Sequence, residues 1–258
     1  MLRPVTVCPI LASCLIVGIA CATEFGPERL LTLDAAAVES LKIDSGAGSL
    51  DIRGSGDSDR IEVRARIWIE DHPDSIEKTG EVVERHVELT LTADGRRAEL
   101  VAMTRDPGRG YSLPHVDLIV TLPARLDLDI RDRSGYVEID DVSGDLKIRD
   151  DSGSIELNGI DGRVVIDDGS GSIALRDVAG PVRIDDGSGS IDVDTVRADL
   201  EIDDGSGSIN VREVDGSVTI SDGSGSILVV GVSEDLTVTE SGSGSVQFDA
   251  VAGEVSVD

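Results

Sequence analysis

The heptapeptide Asp-Asp-Gly-Ser-Gly-Ser-Ile occurs at Asp167–Ile173, at Asp185–Ile191 and at Asp203–Ile209, and Ser221–Ile227 is a near copy. The closing residues Ile173, Ile191, Ile209 and Ile227 are each 18 residues apart. Looser copies carry the same step back through Ile155 and Val137, and one more ends at Val246 after a step of 19. A fixed short period marks a repeat architecture, in which each unit is too small to bury its own apolar face and must stack on its neighbours.

One unit, Ile173 to Ser190, shows what stacks. Ile173-x-Leu175 and Val182-x-Ile184 alternate with period two, so each predicts a short strand with one apolar side. Val178-Ala179-Gly180-Pro181 and Asp186-Gly187-Ser188-Gly189 predict the turns between them. The repeats show no helical spacing. Stacked in register, Ile173, Ile191, Ile209 and Ile227 form one column, and parallel neighbours lie about 4.8 Å apart. The predicted fold is all-β: a parallel β-solenoid of about seven 18-residue coils, roughly 35 Å long at that spacing. Both a flat and a triangular cross-section satisfy the period. A left-handed hexapeptide helix does not, since apolar residues do not recur at every sixth position. Gly48, Gly135, Gly153, Gly171, Gly189, Gly207 and Gly225 hold one position in successive units, which predicts positive φ or close approach of the adjacent coil.

Residues 1–22 read as an export signal, with Arg3 before a mostly apolar run and Ala20-Cys21-Ala22 as a cleavage site giving Thr23 as the mature start. Lipidation at Cys21, within Gly18-Ile19-Ala20-Cys21, competes with that reading, and an uncleaved anchor is the third. Cys8, Cys14 and Cys21 are the only cysteines, so the mature chain holds no internal disulfide. Residues 23–258 read as a single solenoid domain, with 70–115 as an insert that caps one end: a helix up to His86, a hairpin about Asp94-Gly95, and a strand from His115. The location expected is the periplasm, the outer membrane or the cell surface.

The formal net charge is −28. So acidic a chain excludes nucleic acid as a partner, and leaves membrane contact only through a lipid anchor. The repeated polar feature is an acidic column: Asp132, Asp150, Asp168, Asp186, Asp204, Asp222 and Glu240, with Asp167, Asp185 and Asp203 beside it. Like charges every ~4.8 Å repel, by on the order of 1 kcal/mol per pair in water. Two arrangements offset this. The carboxylates accept hydrogen bonds from turn amides, or hard cations such as Ca²⁺ lie between them, held by Asp150, Asp168, Asp186, Asp204 and Asp222. Calcium rolls place the acid after the glycines; here it precedes them. Ser152, Ser170, Ser188, Ser206 and Ser224 recur without a His in the repeats, so they are turn residues, not nucleophiles, and no catalytic residue is assigned. A carbohydrate-active β-helix enzyme is the weakest alternative, because the coils carry almost no aromatic rings.

The Asp-Asp-Gly-Ser-Gly-Ser-Ile copies, the early Lys42-Ile43-Asp44-Ser45-Gly46-Ala47-Gly48-Ser49-Leu50 and an insert before the regular coils resemble the putative-adhesin family of exported bacterial proteins, related to auto-transporter adhesin head domains. The resemblance covers nearly the whole mature chain. It implies a β-solenoid with no catalytic residues to carry over. The function expected is a non-enzymatic structural or adhesive envelope scaffold without a cofactor, whose partner is an unknown cell-envelope or surface component.

Overall fold

The computed structural model describes residues 28–69, 76–106, 108 and 113–258. The first part of the chain forms β1 (Glu28–Asp34), β2 (Ser40–Ser45), β3 (Leu50–Ser55), β4 (Arg60–Trp68), α1 (Ile76–His86), β5 (Val87–Asp94), β6 (Arg97–Thr104) and β7 (His115–Pro123). Regular coils of two strands follow. They are β8 (Asp127–Asp132) with β9 (Gly135–Val142), β10 (Leu146–Asp150) with β11 (Gly153–Ile160), β12 (Val164–Asp168) with β13 (Gly171–Val178), and β14 (Val182–Asp186) with β15 (Gly189–Val196). Then come β16 (Leu200–Asp204) with β17 (Gly207–Val214), β18 (Val218–Asp222) with β19 (Gly225–Val232), β20 (Leu236–Glu240) with β21 (Ser245–Val251), and finally β22 (Val255–Val257).

These strands make two 11-stranded sheets facing one another, so the cross-section is flat. The first sheet runs β1-β4-β7-β3-β9-β11-β13-β15-β17-β19-β21, and the second β22-β20-β18-β16-β14-β12-β10-β8-β2-β6-β5. From β8 onward each strand pairs in parallel with its counterpart one coil away. Ile155, Ile173, Ile191, Ile209 and Ile227 stand in register and are all buried. Full burial of such a side chain contributes about 1.5–3 kcal/mol, so the columns hold the coils together without aromatic anchors.

The first-sheet strands bury Ile173 and Leu175 two apart and Val178 three further on. The odd spacing is absorbed by Asp177, whose φ is 53°. The equivalent residues Asp141, Gly159, Thr195, Glu213, Gly231 and Ala250 are left-handed too. This local kink turns Val178 inward, so the strand runs through a residue the sequence had placed in a turn.

Residues 70–115 contain the helix and the hairpin that the sequence predicts, with Asp94 paired to Arg97 across the turn. They do more than interrupt the coils. Strand β6 pairs in parallel with β2, and β7 in parallel with β3, so the insert adds a layer to each sheet. The first coil lies between this layer and β8–β9, with Leu50 beside both Leu118 and Val137. Alternating Ala98, Leu100 and Ala102, and Val116, Leu118 and Val120, are buried and continue the inner columns. Strands β4 and β1 then extend the first sheet antiparallel, as β5 extends the second. Pro73, Asp74 and Ser75, the export segment 1–22 with Cys21, and His72 lie outside the described residues.

Gly80 sits inside α1 with no atom within 4 Å of where a Cβ would stand. Glycine weakens a helix interior by about 0.8–1.0 kcal/mol relative to Ala. Gly80→Ala is therefore expected to raise the unfolding free energy by up to about that amount, read as a higher urea midpoint. An unchanged or lower midpoint would mean that the helix does not unfold with the coils.

Candidate functional site

The parity of each second-sheet strand decides which acid faces where. In Val164–Asp168 the residues Val164, Ile166 and Asp168 point inward and Asp167 points out. The sequence pattern Val-x-Ile-x-Asp already contains this: the last Asp shares the side of the aliphatic residues. Asp132, Asp150, Asp168, Asp186, Asp204 and Asp222 consequently form an inner column in parallel register. Their exposure is between 0% and 4%. Glu240 does not join them: the register shifts after Ile220, Glu240 pairs with Ser221, and its side chain is exposed.

One oxygen of each carboxylate is used by the fold. Oδ1 of Asp150, Asp168, Asp186, Asp204 and Asp222 accepts the backbone N–H of Ser152, Ser170, Ser188, Ser206 and Ser224 at 2.9–3.3 Å. Asp132 Oδ1 instead accepts the Ser45 hydroxyl at 2.6 Å, which ends the column on that side. The turn-amide arrangement expected from sequence is therefore present, and the Ser residues contribute turn amides to it. The other oxygen, Oδ2, is buried in all six and has no hydrogen-bond partner.

A buried carboxylate with an unsatisfied oxygen resists ionisation. Burial pushes Asp168 and Asp204 up to about 6, assisted by the charges of the Asp above and the Asp below, and opposed by the turn amides. Burial also pushes Asp132 to about 6 against the Ser45 hydrogen bond. Asp150, Asp186 and Asp222 are raised for the same first reason. The column can thus hold protons, or a positive charge, between its levels. Its donors are hard oxygens of the kind Ca²⁺ takes, but each level supplies a single carboxylate. No three acidic, His or Cys side chains converge on one point among the described residues.

The outer acids behave differently. Asp167, Asp185 and Asp203 are exposed and aligned on the outer side of the second sheet. Cations lie near them: Arg149 pairs with Asp129 at 3.2 Å, and Arg183 pairs with Glu201. His86 ends α1, far in sequence from the Ser column.

One constellation was not legible in the sequence. On the outer side of the first sheet, the Trp68 and His115 rings stack with centroids 4.2 Å apart and planes 12° apart. Trp68 Nε1–H donates to Asp117 Oδ2 at 3.0 Å, and Asp117 Oδ1 accepts the Ser49 N–H. The pairing of β4 with β7 makes the contact, and those strands carry no repeat letters that would fix their register. Nearby, Tyr136 donates its hydroxyl to Glu156 at 2.6 Å.

Two facing sheets of stacked parallel strands, with a buried acid column along one inner edge, define a repeat scaffold of the β-solenoid class. The chain belongs to the Toastrack DUF4097 family, whose model matches residues 38–257. No curated protein matches the sequence. Among solved structures, a putative adhesin from Bacteroides fragilis is similar at 15% identity and a TM-score of 0.43, over 89% of this chain and 97% of that one. A putative cell adhesion protein from Clostridium sporogenes is similar at 10% identity and a TM-score of 0.37, over 89% and 97%. A putative lipid binding protein from Parabacteroides distasonis is similar at 13% identity and a TM-score of 0.28, over 88% and 96%.

Proposed function

We propose that this protein is a non-enzymatic, exported scaffold of the cell envelope, structural or adhesive, which presents the outer faces of its rod to an envelope or surface component. The observation that carries this is the use of the repeated polar groups. The Ser amides and Asp Oδ1 atoms satisfy one another inside the turns, while the outer side chains recur in register along an extended surface. Repetition at a fixed step suits binding to a repetitive surface through many weak contacts at once. The reading places the rod in the periplasm or at the outer membrane or cell surface. Mass spectrometry of the processed chain tests that: a start at Thr23 means simple cleavage, and a lipid on Cys21 means an anchor. The purified protein is expected to bind whole cells or isolated envelope, and deletion to weaken adhesion or envelope integrity. Absence of both effects overturns the reading.

A second reading is a Ca²⁺-binding module, favoured by the six unpartnered Oδ2 atoms. Asp150, Asp168, Asp186, Asp204 and Asp222 would hold the ion. A ligand at a hundred times its Kd adds about 2.7 kcal/mol per site to folding stability. Thermal melts of the protein in excess Ca²⁺, against chelator at matched Na⁺ ionic strength, are expected to rise by several degrees on this reading. Equal melts remove it.

A further inference from the structure

The outer face of the first sheet departs from its own repeat at one place. Serine precedes the inward Leu50, Ile155, Ile173, Ile191, Ile209 and Ile227. Before Val137 the residue is Tyr136 instead, in register with Ser154 and 37% exposed. Stacking of the coils asks for nothing larger than serine there, so it does not explain the ring. The Tyr136 hydroxyl donates to Glu156, and Arg176 holds the same carboxylate, so the ring is fixed at its tip. Across β3 stands the Trp68–His115 stack. Strands β4, β7, β3 and β9 are neighbours in that order, so the strands of His115 and Tyr136 lie two steps apart, about 10 Å. Between them the surface is low. Ser49 is small, and a Cβ on Gly48 would stand 2.3 Å from the Val116 carbonyl oxygen. Aromatic residues make up only 2% of the chain, yet two of them, with His115, border this one shallow trough. Ile119, 46% exposed and two residues beyond Asp117, adds apolar surface on the Trp68 side.

The polar groups beside the rings are carboxylates. Asp117 is fixed through both oxygens, by the Trp68 Nε1–H and the Ser49 N–H, and each oxygen keeps a second lone pair. Asp51, Glu138 and Glu156 follow one another in register along the same face. Burial, then the charges of Asp51, Asp140 and Glu156, hold Glu138 above its ordinary value. An anionic ligand would add to that repulsion. Hydroxyl donors relieve it, because an ionised carboxylate only accepts. These acids do not converge as a metal site among the described residues. Exposed ring faces with fixed acceptors beside them match the two sides of a pyranose, an apolar C–H face and a rim of hydroxyls.

We propose, on the reading of the rod as a scaffold that presents its outer faces, that this trough binds an uncharged glycan. A sugar ring lies against Tyr136 or the Trp68–His115 stack, and its hydroxyls donate to Asp117 and Glu138. The role is binding, with no bond cleaved.

Trp68 is the chain's single tryptophan, so its fluorescence reports on this trough alone. The full-length chain is titrated with neutral hexasaccharides of glucose, of mannose and of N-acetylglucosamine. At least one is expected to shift the Trp68 emission saturably, while hexagalacturonate, the anionic control, leaves it unchanged. Tyr136→Ser gives this coil the residue that the others carry. It is expected to keep the circular dichroism of the parent and to lose affinity roughly tenfold. Unchanged Trp68 emission with all three neutral glycans overturns the proposal, as does equal affinity in Tyr136→Ser or equal binding of hexagalacturonate. The scaffold reading is tested apart from it. Envelope binding that neither Tyr136→Ser nor excess hexasaccharide reduces keeps the scaffold and removes the glycan site. Glycan binding by a chain that ignores isolated envelope keeps the site and removes the scaffold.

Discussion

Gly189→Ala is expected to abolish cooperative folding of the coils. Gly189 has φ of +152°, and a Cβ there would stand 1.5 Å from the carbonyl oxygen of Gly171 in the adjoining coil. The obstacle is backbone, so no side-chain rotation relieves it. The two coils would have to part, breaking the Gly171 N–H to Ser188 carbonyl bond of 2.9 Å. The Ile173–Ile191 contact would open with them. Single substitutions costing more than about 4–5 kcal/mol are exceptional, and this one combines backbone strain, a clash and lost column packing. Against a typical stability of about 5–15 kcal/mol, that loss splits or unfolds the rod. Urea unfolding followed by circular dichroism checks it, with Gly56→Ala as control. No atom lies within 4 Å of the Gly56 Cβ position, so the control should stay within about 0.5 kcal/mol. A cooperative transition at the parental midpoint in Gly189→Ala would show that the coils are not stacked as described.

The second large effect is a gain of stability on mild acidification. Asp132, Asp168 and Asp204 bind protons more tightly in the folded chain, at about 6, than at their ordinary value of 3.8. The folded state therefore holds the greater number of protons between those limits. Stability from this source is full below the ordinary value, is lost as pH rises through about 6, and is flat above. Between pH 8 and pH 5 each group contributes on the order of 1.4 kcal/mol, less where neighbouring sites couple. Relief of the overall negative charge acts in the same direction, so a variant must separate the two. In Asp204→Asn, Oδ1 still accepts the Ser206 N–H, and the amide NH₂ replaces the oxygen that lacks a partner. At pH 8 this variant is expected to melt higher than the parent, by on the order of 1–3 kcal/mol in stability. Its dependence on pH should also be shallower. A lower melting temperature at pH 8 would mean that a bound cation neutralises the column, which is the Ca²⁺ reading.

The regular half of the fold was legible because each coil states its own geometry. The 18-residue step aligns Ile173 with Ile191 whatever lies outside them, and the aligned glycines announced the positive φ found from Gly135 to Gly225. The flat cross-section was not legible, because it depends on the left-handed residue before Val178. That position is filled by Asp177, Thr195 and Glu213 as readily as by Gly159, so no letter marks it. The acid column was half legible. Its Asx hydrogen bonds follow from the Asp-Gly-Ser turn, but the orphaned Oδ2 atoms appear only once the facing sheet excludes water. Strand β1 went unrecognised because its half-buried Leu31 and Leu33 acquire their inward side only by pairing with β4. The Trp68–His115 stack depends likewise on a long-range register.

The place of the first coil also sets an order of assembly. From Val137 to Ile227, partners along the first sheet are 18 residues apart, as Ile155 and Ile173 are, and such pairs can close as soon as each coil is made. Leu50 must wait for Val137, 87 residues later, and meets Leu118 on its other side. A chain synthesised from its amino terminus therefore carries β2 and β3 unpaired until the insert supplies β6 and β7, and open on their other edge until β8–β9 exist. The repeats zip quickly and locally, while the coil that precedes them closes at the loop-closure cost of distant contacts. Slow folding and early proteolytic sensitivity thus belong to the amino-terminal third, however uniform the finished rod.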